Sequence, residues 1–249
     1  MFFLFLYVFI LGTILMSFGN VVIDRYPQGQ NFITSRSRCP YCQHKLSYVD
    51  MVPIFSFLCI KGRCRYCHNE IPIEHFIYEI IGGYLAVICV FFHMDVVKGL
   101  YIYCFLVYLI VISMIDLKTL MIPNGFILFC FIFSFLSFYF FHLSLIERMI
   151  GFFIISFPLF LINMIKRDSF GGGDIKLMAV CGWLLGWKTT LLSFIIAVMI
   201  AGCYVSYLFF KTKKDKETYI AFAPYLSLGM MIALFYGESI MRFYFHMMS

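Results

Sequence analysis

Asp174 closes the run Phe170-Gly171-Gly172-Gly173-Asp174-Ile175-Lys176 and opens directly onto the apolar segment Leu177 to Trp187. An ionisable side chain at the edge of a hydrocarbon-buried helix is costly, so it is expected to face protein or water and to do chemistry. Glycines permit positive φ and let a second backbone come close, as a reaction on a peptide requires. Gly171, Gly172, Gly173 and Lys176 are therefore read as a substrate-approach loop. A second acid, Asp116, follows the apolar run Leu106 to Ile115 and precedes Leu117-Lys118-Thr119-Leu120-Met121-Ile122-Pro123-Asn124.

Each acid has a bland alternative. Asp116 reads equally as a solvated residue past a helix end, with Pro123 marking a turn, and Asp174 as a helix N-cap, which Asp fills well. Two carboxylates at one membrane face, one beside a glycine hinge, are also what an aspartic peptidase needs. One acid must be ionised to take a proton from water while the other, protonated, donates to the substrate carbonyl. Like charges held close share a proton and titrate as a pair, which creates that split from two identical side chains. Lys118 and Lys176 each lie two residues beyond an acid, an offset that points to a different helix face.

The elements that must hold these acids are membrane spans. The chain has 249 residues, is 63% hydrophobic and 13% charged, and contains 32 Phe, a balance no water-soluble domain could cover with polar surface. Crossing about 30 Å of hydrocarbon takes roughly 20 apolar residues. About eight such runs are expected, at 2–23, 76–93, 99–115, 124–142, 147–165, 174–188, 189–210 and 220–246. The predicted fold is an all-α polytopic membrane protein of about eight transmembrane helices, with a small zinc-bearing cytoplasmic segment between the first and second spans. Three divisions follow: a first span at 1–23, a cytoplasmic zinc-binding segment at 24–75, and a transmembrane peptidase domain at 76–249.

Short loops rich in Lys and Arg stay cytoplasmic. One alternate set of segments holds Arg25, Arg36, Arg38, Lys45, Lys61, Arg63, Arg65, Lys118, Lys166, Arg167, Lys176, Lys211, Lys213, Lys214 and Lys216, the other only Lys98, Arg148, Lys188 and Arg242. Both termini are then outside, and Asp116 and Asp174 lie at the cytoplasmic face of the plasma membrane. The net charge of +6 reflects this topology and contact with anionic lipid, with no nucleic acid expected as a partner. Met1 to Ile23 lacks a basic n-region and a small-residue cleavage site and is read as an uncleaved span. Lys211 to Lys216 is read as a topological anchor, and Pro224 is expected to bend the start of the last span.

Cys39-Pro40-Tyr41-Cys42 and Cys64-Arg65-Tyr66-Cys67 are two CxxC pairs in the one sizeable polar segment, and they read as four thiolates around a structural zinc. Their separation is slightly longer than the usual ribbon spacing. Redox cysteines or disulfides are the alternative, disfavoured in a reducing cytoplasm. Cys59 is expected to pack against Val52-Pro53-Ile54-Phe55, and His44 and His68 to be solvated rather than ligands. Glu79, an isolated acid just inside the second span, either snorkels to the interface or joins the cysteine segment to the membrane core. No internal repeat stands out beyond Phe-rich stretches such as Phe129 to Phe141.

Gly171-Gly172-Gly173-Asp174-Ile175-Lys176-Leu177-Met178-Ala179 resembles the GxGD signature of intramembrane aspartyl proteases in its type IV prepilin peptidase form. Asp116 through Ile122-Pro123-Asn124 is similar to that family's other aspartate motif. Ser17-Phe18-Gly19-Asn20-Val21-Val22-Ile23-Asp24-Arg25-Tyr26-Pro27 resembles its N-terminal motif, and the segment of Cys39, Cys42, Gly62-Arg63-Cys64, Cys67 and Glu79 its cytoplasmic domain. The resemblance spans essentially the whole chain in order. It implies an enzyme that cuts the short basic leader from type IV pilin or pseudopilin precursors after Gly and then N-methylates the new terminal residue, usually Phe, with S-adenosylmethionine. Asp116 and Asp174 would be the catalytic pair. Methyl transfer would belong to the Cys39 to Glu79 region, where no Gly-rich fingerprint locates the methyl donor and Gly62 and Glu79 are the candidates.

Two other classes compete. A proton- or cation-coupled transporter would use intramembrane acids as carriers, but these acids lie near one face and no inverted repeat is visible. A membrane scaffold with a zinc module would keep working without either acid.

Overall fold

The structure, a computed structural model, describes residues 1–166, 169–212 and 220–248. Of the basic residues used to orient the chain, Arg167, Lys213, Lys214 and Lys216 fall outside these, as does most of the 211–216 anchor. Among the described residues the regular elements are helices, with isolated β-bridges at Arg38–Lys45 and Arg63–Glu70 in the irregular segment between the first two long ones. Ten α-helices follow in order: α1 (Phe2–Arg25), α2 (Phe55–Cys59), α3 (Ile73–His93), α4 (Val96–Thr119), α5 (Asn124–Ser134), α6 (Ser137–Phe140), α7 (Leu145–Ile154), α8 (Ser156–Ile165), α9 (Gly172–Thr212) and α10 (Ala223–Met248). Among the described residues six helical stretches are long and apolar enough to cross a membrane: Phe2–Gln28, Ile73–His93, Val96–Thr119, Leu145–Ile165, Gly172–Lys211 and Ala223–Tyr244.

Six stretches stand where about eight runs were expected. The expected run 124–142 coincides with the shorter apolar stretch Asn124–Phe140. The expected runs 174–188 and 189–210 both lie in α9, whose 41 residues are broken at Gly186, with φ 76 and ψ 167. That conformation is open essentially to glycine alone.

The chain forms two compact units, Met1–Val111 and Ile112–Ser249. In the first, α1 packs along α3 at small residues: a Cβ on Gly12 would lie 2.6 Å from Ala86 Cβ. Without a hydrophobic driving force between helices in lipid, such close backbone contact and interhelical hydrogen bonds do the holding. Tyr103, fully buried in α4, supplies one by donating its hydroxyl to Gly12 O at 2.6 Å.

In the second unit α9 is the central element, with α7 on one side and α10 on another. A Cβ on Gly182 of α9 would collide with the carbonyl oxygen of Gly151 in α7. Helix α7 begins with a full capping box, Ser144 Oγ accepting from Glu147 N and Glu147 accepting from Ser144 N, which satisfies two otherwise orphaned donors. Arg148, 0% exposed, donates to Ser137 Oγ, Ser137 O, Phe141 O and Trp183 O at 2.5, 3.2, 3.1 and 3.2 Å and lies 4.1 Å from the Phe138 ring centroid. A break at residue 186 disrupts the geometry by which carbonyls of the preceding turn find helical donors. Arg148 brings a cationic donor to one of them. Pro224 occupies the first turn of α10, where its missing N–H costs nothing, so it starts that helix rather than bending it.

Candidate active site and cysteine centre

Asp116 lies inside the last turn of α4 and is only 5% exposed, so it is not the solvated residue past a helix end. The helix closes just beyond it, where Leu120 at φ 54 returns its N–H to Asp116 O at 2.7 Å. Asp174 is the third residue of α9 and 8% exposed; the helix has already begun at Gly172, so Asp174 is not its N-cap. Its Oδ1 is buried and accepts no hydrogen bond among the described residues. A buried polar atom without a protein partner is costly and sets this carboxylate apart from a structural cap.

Three contacts of the second unit assemble the site. A Cβ on Gly173 would stand 2.7 Å from Ile122 Cβ, so the α9 start rests on the turn leaving α4 with only a hydrogen's clearance. Lys176, exposed, donates Nζ to Asn124 Oδ1 at 2.8 Å, tying the same start to that of α5. Ala223, first residue of α10, donates its backbone N–H to Asp116 Oδ2 at 3.1 Å. The first N–H groups of a helix have no helical acceptor and carry partial positive charge, so a carboxylate suits them. Just behind, Ser113 donates to Ser227 Oγ at 2.7 Å. The seat of Gly173 on Ile122, just past the end of α4, brings the start of α9 with Asp174 to the end of the helix that carries Asp116, 58 positions earlier in sequence. Gly171 and Gly172 stay exposed beside them.

Sequence reasoning missed Ile122 as the seat of Gly173, Asn124 as the partner of Lys176, and Ala223. The one available signal for Ala223 was Pro224, since a proline one step on marks a helix start.

In the first unit the Sγ atoms of Cys39, Cys42, Cys64 and Cys67 all lie within 4.8 Å of one another. Thiolates about 2.3 Å from a shared zinc stand about 3.8 Å apart along the edges of a tetrahedron, and Cys39 Sγ and Cys67 Sγ are 3.8 Å apart. All four are free thiols. The donor set, spacing and chemistry fit a tetrahedral metal ion. The Cys64 thiol is brought down to about 7 by the backbone N–H groups of Cys67 and Tyr66, which favours the thiolate that a metal binds.

The knuckles holding these cysteines are a repeat. Arg38-Cys39-Pro40-Tyr41-Cys42-Gln43-His44-Lys45 and Arg63-Cys64-Arg65-Tyr66-Cys67-His68-Asn69-Glu70 match position by position. Gln43 and His68 adopt φ 58 and 57, and each donates its N–H to the first cysteine's carbonyl at 2.9 Å. Cys39 N and Cys64 N bond to His44 O and Asn69 O. Four identities in eight carry this repeat, the arginine, both cysteines and the tyrosine, and the remaining positions differ. His44 and His68 are exposed as expected, with the His44 and Tyr66 ring centroids 3.6 Å apart and the planes tilted by 32°. Cys59, at the last position of the short α2, is exposed rather than packed away. Gly62, at φ 68, spends its N–H on Phe57 O and its C=O on Ile71 N, which makes it a turn residue between α2 and the second knuckle. Asp50 faces Arg65 at 3.2 Å, and the Ser47 hydroxyl, with Ser47 N–H and Arg65 adding to it, holds its carboxyl below the usual range.

Glu79 does not snorkel. Partly buried in α3, it accepts Ser17 Oγ–H from α1 on Oε1 at 2.7 Å and the Ile54 backbone N–H on Oε2 at 2.8 Å. Ile54 sits at φ 63, strained for a β-branched residue. The carboxylate thus joins both helices to the loop between the knuckles. Asn20 Nδ2 to His75 O, 3.3 Å, and His75 Nε2 to Asp24 Oδ2, 3.4 Å, continue the polar ladder along the same faces.

Comparison with known proteins matches residues 10–93 to the Bacterial Peptidase A24 N-terminal domain and residues 103–206 to the Type IV leader peptidase family. The first match contains the four cysteines and Glu79, the second both acids. The prepilin leader peptidase/N-methyltransferase of Bacillus subtilis (strain 168) is 30% identical over 254 residues, covering 96% of this chain and 97% of that protein. The protein of the same description from Vibrio cholerae serotype O1 is 31% identical over 245 residues, covering 91% and 94%, and that from Aeromonas hydrophila 26% identical, covering 95% and 92%. No solved structure matches the chain. Likeness along nearly its full length, in the order of both domains, makes this chain a member of the type IV leader peptidase family.

Proposed function

We propose that this chain is an intramembrane aspartic endopeptidase that removes the short basic leader of type IV pilin-like precursors after Gly, and then N-methylates the exposed residue. One observation carries the peptidase half: two buried aspartates from separate helices, α4 and α9, whose ends meet where Gly173 rests on Ile122, stand beside an exposed glycine turn. The pair shares one proton. Its ionised member takes a proton from water as that water attacks the scissile carbonyl; its protonated member donates to the carbonyl oxygen. The Ala223 N–H fixes Asp116, and the seat of Gly173 on Ile122 fixes the backbone of Asp174. Gly171 and Gly172, without side chains, leave room for the extended substrate, and Lys176 holds the loop through Asn124.

Cys39, Cys42, Cys64 and Cys67 would hold a structural zinc, whose role is to fold the polar segment around them. The methyl group comes from S-adenosylmethionine, and we assign its transfer to the first unit, with Glu79 a better candidate than Gly62, whose backbone groups are spent in a turn. The chain would cross the membrane eight times if the Gly186 break separates two passes and Asn124–Phe140 makes another. The basic segments Arg25 to Arg65, Lys118, Lys166 and Lys176 then place the cysteine segment and both aspartates at the cytoplasmic face of the plasma membrane.

The test uses purified protein and a pilin-like peptide with Gly-Phe at the junction, followed by mass spectrometry with and without S-adenosylmethionine. Cleavage after Gly in both samples and a mass gain of one methyl only in the second is the expected result. An uncut peptide would overturn the peptidase reading.

A further inference from the structure

Glu79 is set apart from the other acids of the first unit. Asp24 faces His75, Asp50 faces Arg65 and Glu70 faces Arg63, while Glu74 and Asp95 are exposed to solvent. Glu79 is partly buried, and both its oxygens accept hydrogen bonds, as an ionised carboxylate's do. Yet its donors are a hydroxyl and an amide, and among the described residues no cation lies within ion-pairing distance of it. An anion withdrawn from water on a membrane-spanning helix is costly unless a positive charge meets it. Ser17 and Ile54 N–H orient the carboxylate; they do not neutralise it.

Methyl transfer to an amine brings two organic cations to one place. The donor carries a sulfonium, and the new N-terminus is an ammonium until it loses a proton. We propose that Glu79 is the anion that receives this cationic charge, its free lone pairs directed to the sulfonium or to the ammonium. The inference rests on the methyl-transfer reading above. In the reaction, one N–H proton leaves the ammonium for water and the nitrogen lone pair bonds to the methyl carbon. The carbon–sulfur bond breaks onto sulfur, so the sulfonium becomes a neutral thioether and the methylated amine is protonated at neutral pH. Charge on the donor is lost and charge on the amine is kept, so a fixed carboxylate holds reactants more strongly than the spent donor.

The experiment uses the full chain in nanodiscs. Dissociation constants are measured for S-adenosylmethionine and its neutral thioether product S-adenosylhomocysteine, and the KM for methylation of a pre-cut Phe peptide. A matched peptide with a neutral α-hydroxyl terminus serves as competitor. Wild type should favour at least one cation over its neutral counterpart by about ten- to a hundredfold, the size of a charge-assisted contact. In Glu79→Gln, loss of the sulfonium preference assigns the carboxylate to the donor, and a raised KM with unchanged donor binding assigns it to the amine. Ser17→Ala, which keeps the charge, should keep the preference. Cleavage and bound zinc report whether each variant is folded. A wild type that favours neither cation overturns the proposal even if Glu79→Gln cannot be made, and so does a folded Glu79→Gln with wild-type preference and KM. A wild type that cleaves but transfers no methyl group overturns the methyl-transfer reading itself, a separable outcome.

Discussion

Asn in place of either aspartate keeps the shape of the side chain and removes the ionisable proton that the proposed pair would share. Asp116→Asn and Asp174→Asn are each expected to accumulate folded in membranes and to cut at least about a hundredfold more slowly, the usual scale of a lost acid or base. The single-turnover rate on the Gly-Phe peptide checks this, and near-normal turnover in either variant refutes the pair. Asp116→Asn should also keep the Ala223 N–H contact through its carbonyl oxygen, so a large fall in its melting temperature is not expected. At the cysteine centre, wild type is expected to carry one zinc per chain, and the double variant Cys64→Ser, Cys67→Ser should lose it. Metal analysis of purified protein decides it, and full zinc in the variant would exclude these ligands.

At the scale of elements, α9 is where sequence reading and structure diverge most usefully. Trp187-Lys188-Thr189 marked a division between two runs, but Gly186, at φ 76 and ψ 167, is the residue that breaks the helix. Hydropathy alone cannot distinguish a loop from a break inside a continuous rod. Gly186→Ala should cost about 1–3 kcal/mol, because an L side chain rarely tolerates that backbone conformation. Arg148→Met removes the donor to Trp183 O, Phe141 O and Ser137 and should cost about 2–4 kcal/mol, the sum of several buried acceptors left unmet. Thermal melts in detergent measure both. Loss of stability with cleavage per folded molecule retained is the expected pattern, since neither residue belongs to the Asp116 and Asp174 site.

Over the whole molecule, the residues proposed for the two chemistries fall in different compact units: Glu79 and the cysteines in Met1–Val111, both aspartates in Ile112–Ser249. Zinc-site variants should therefore lose methyl transfer while keeping part of the cleavage, and Asp116→Asn should still methylate a pre-cut Phe peptide. Stably expressed zinc-site variants that lost cleavage and kept methylation would reverse the assignment. Topology has its own test in Cys59, which is exposed on α2. A membrane-impermeant thiol reagent should label it in inside-out vesicles and leave it unlabelled in intact cells; the opposite result would invert the orientation.

Helix class, the existence of the spans, the four cysteines and the two aspartates were legible in the chain, because hydrocarbon thickness, ligand chemistry and the cost of a charge in lipid act on residue types one at a time. Four motifs in order carried the family resemblance as well. Tertiary structure alone decided which atoms meet. Nothing local to Asp116 says that Ala223 N–H, 107 positions on, will hold its Oδ2, nor that Ile122 will seat Gly173. The two knuckles share a backbone turn although their αL residues, Gln43 and His68, differ, since hydrogen bonds from those residues are made by the main chain. Glu79, ambiguous as an isolated acid, is fixed in place by Ser17 and Ile54, 62 and 25 residues away. Such contacts depend on how folded helices pack, and no periodicity of one segment encodes the identity of its neighbour.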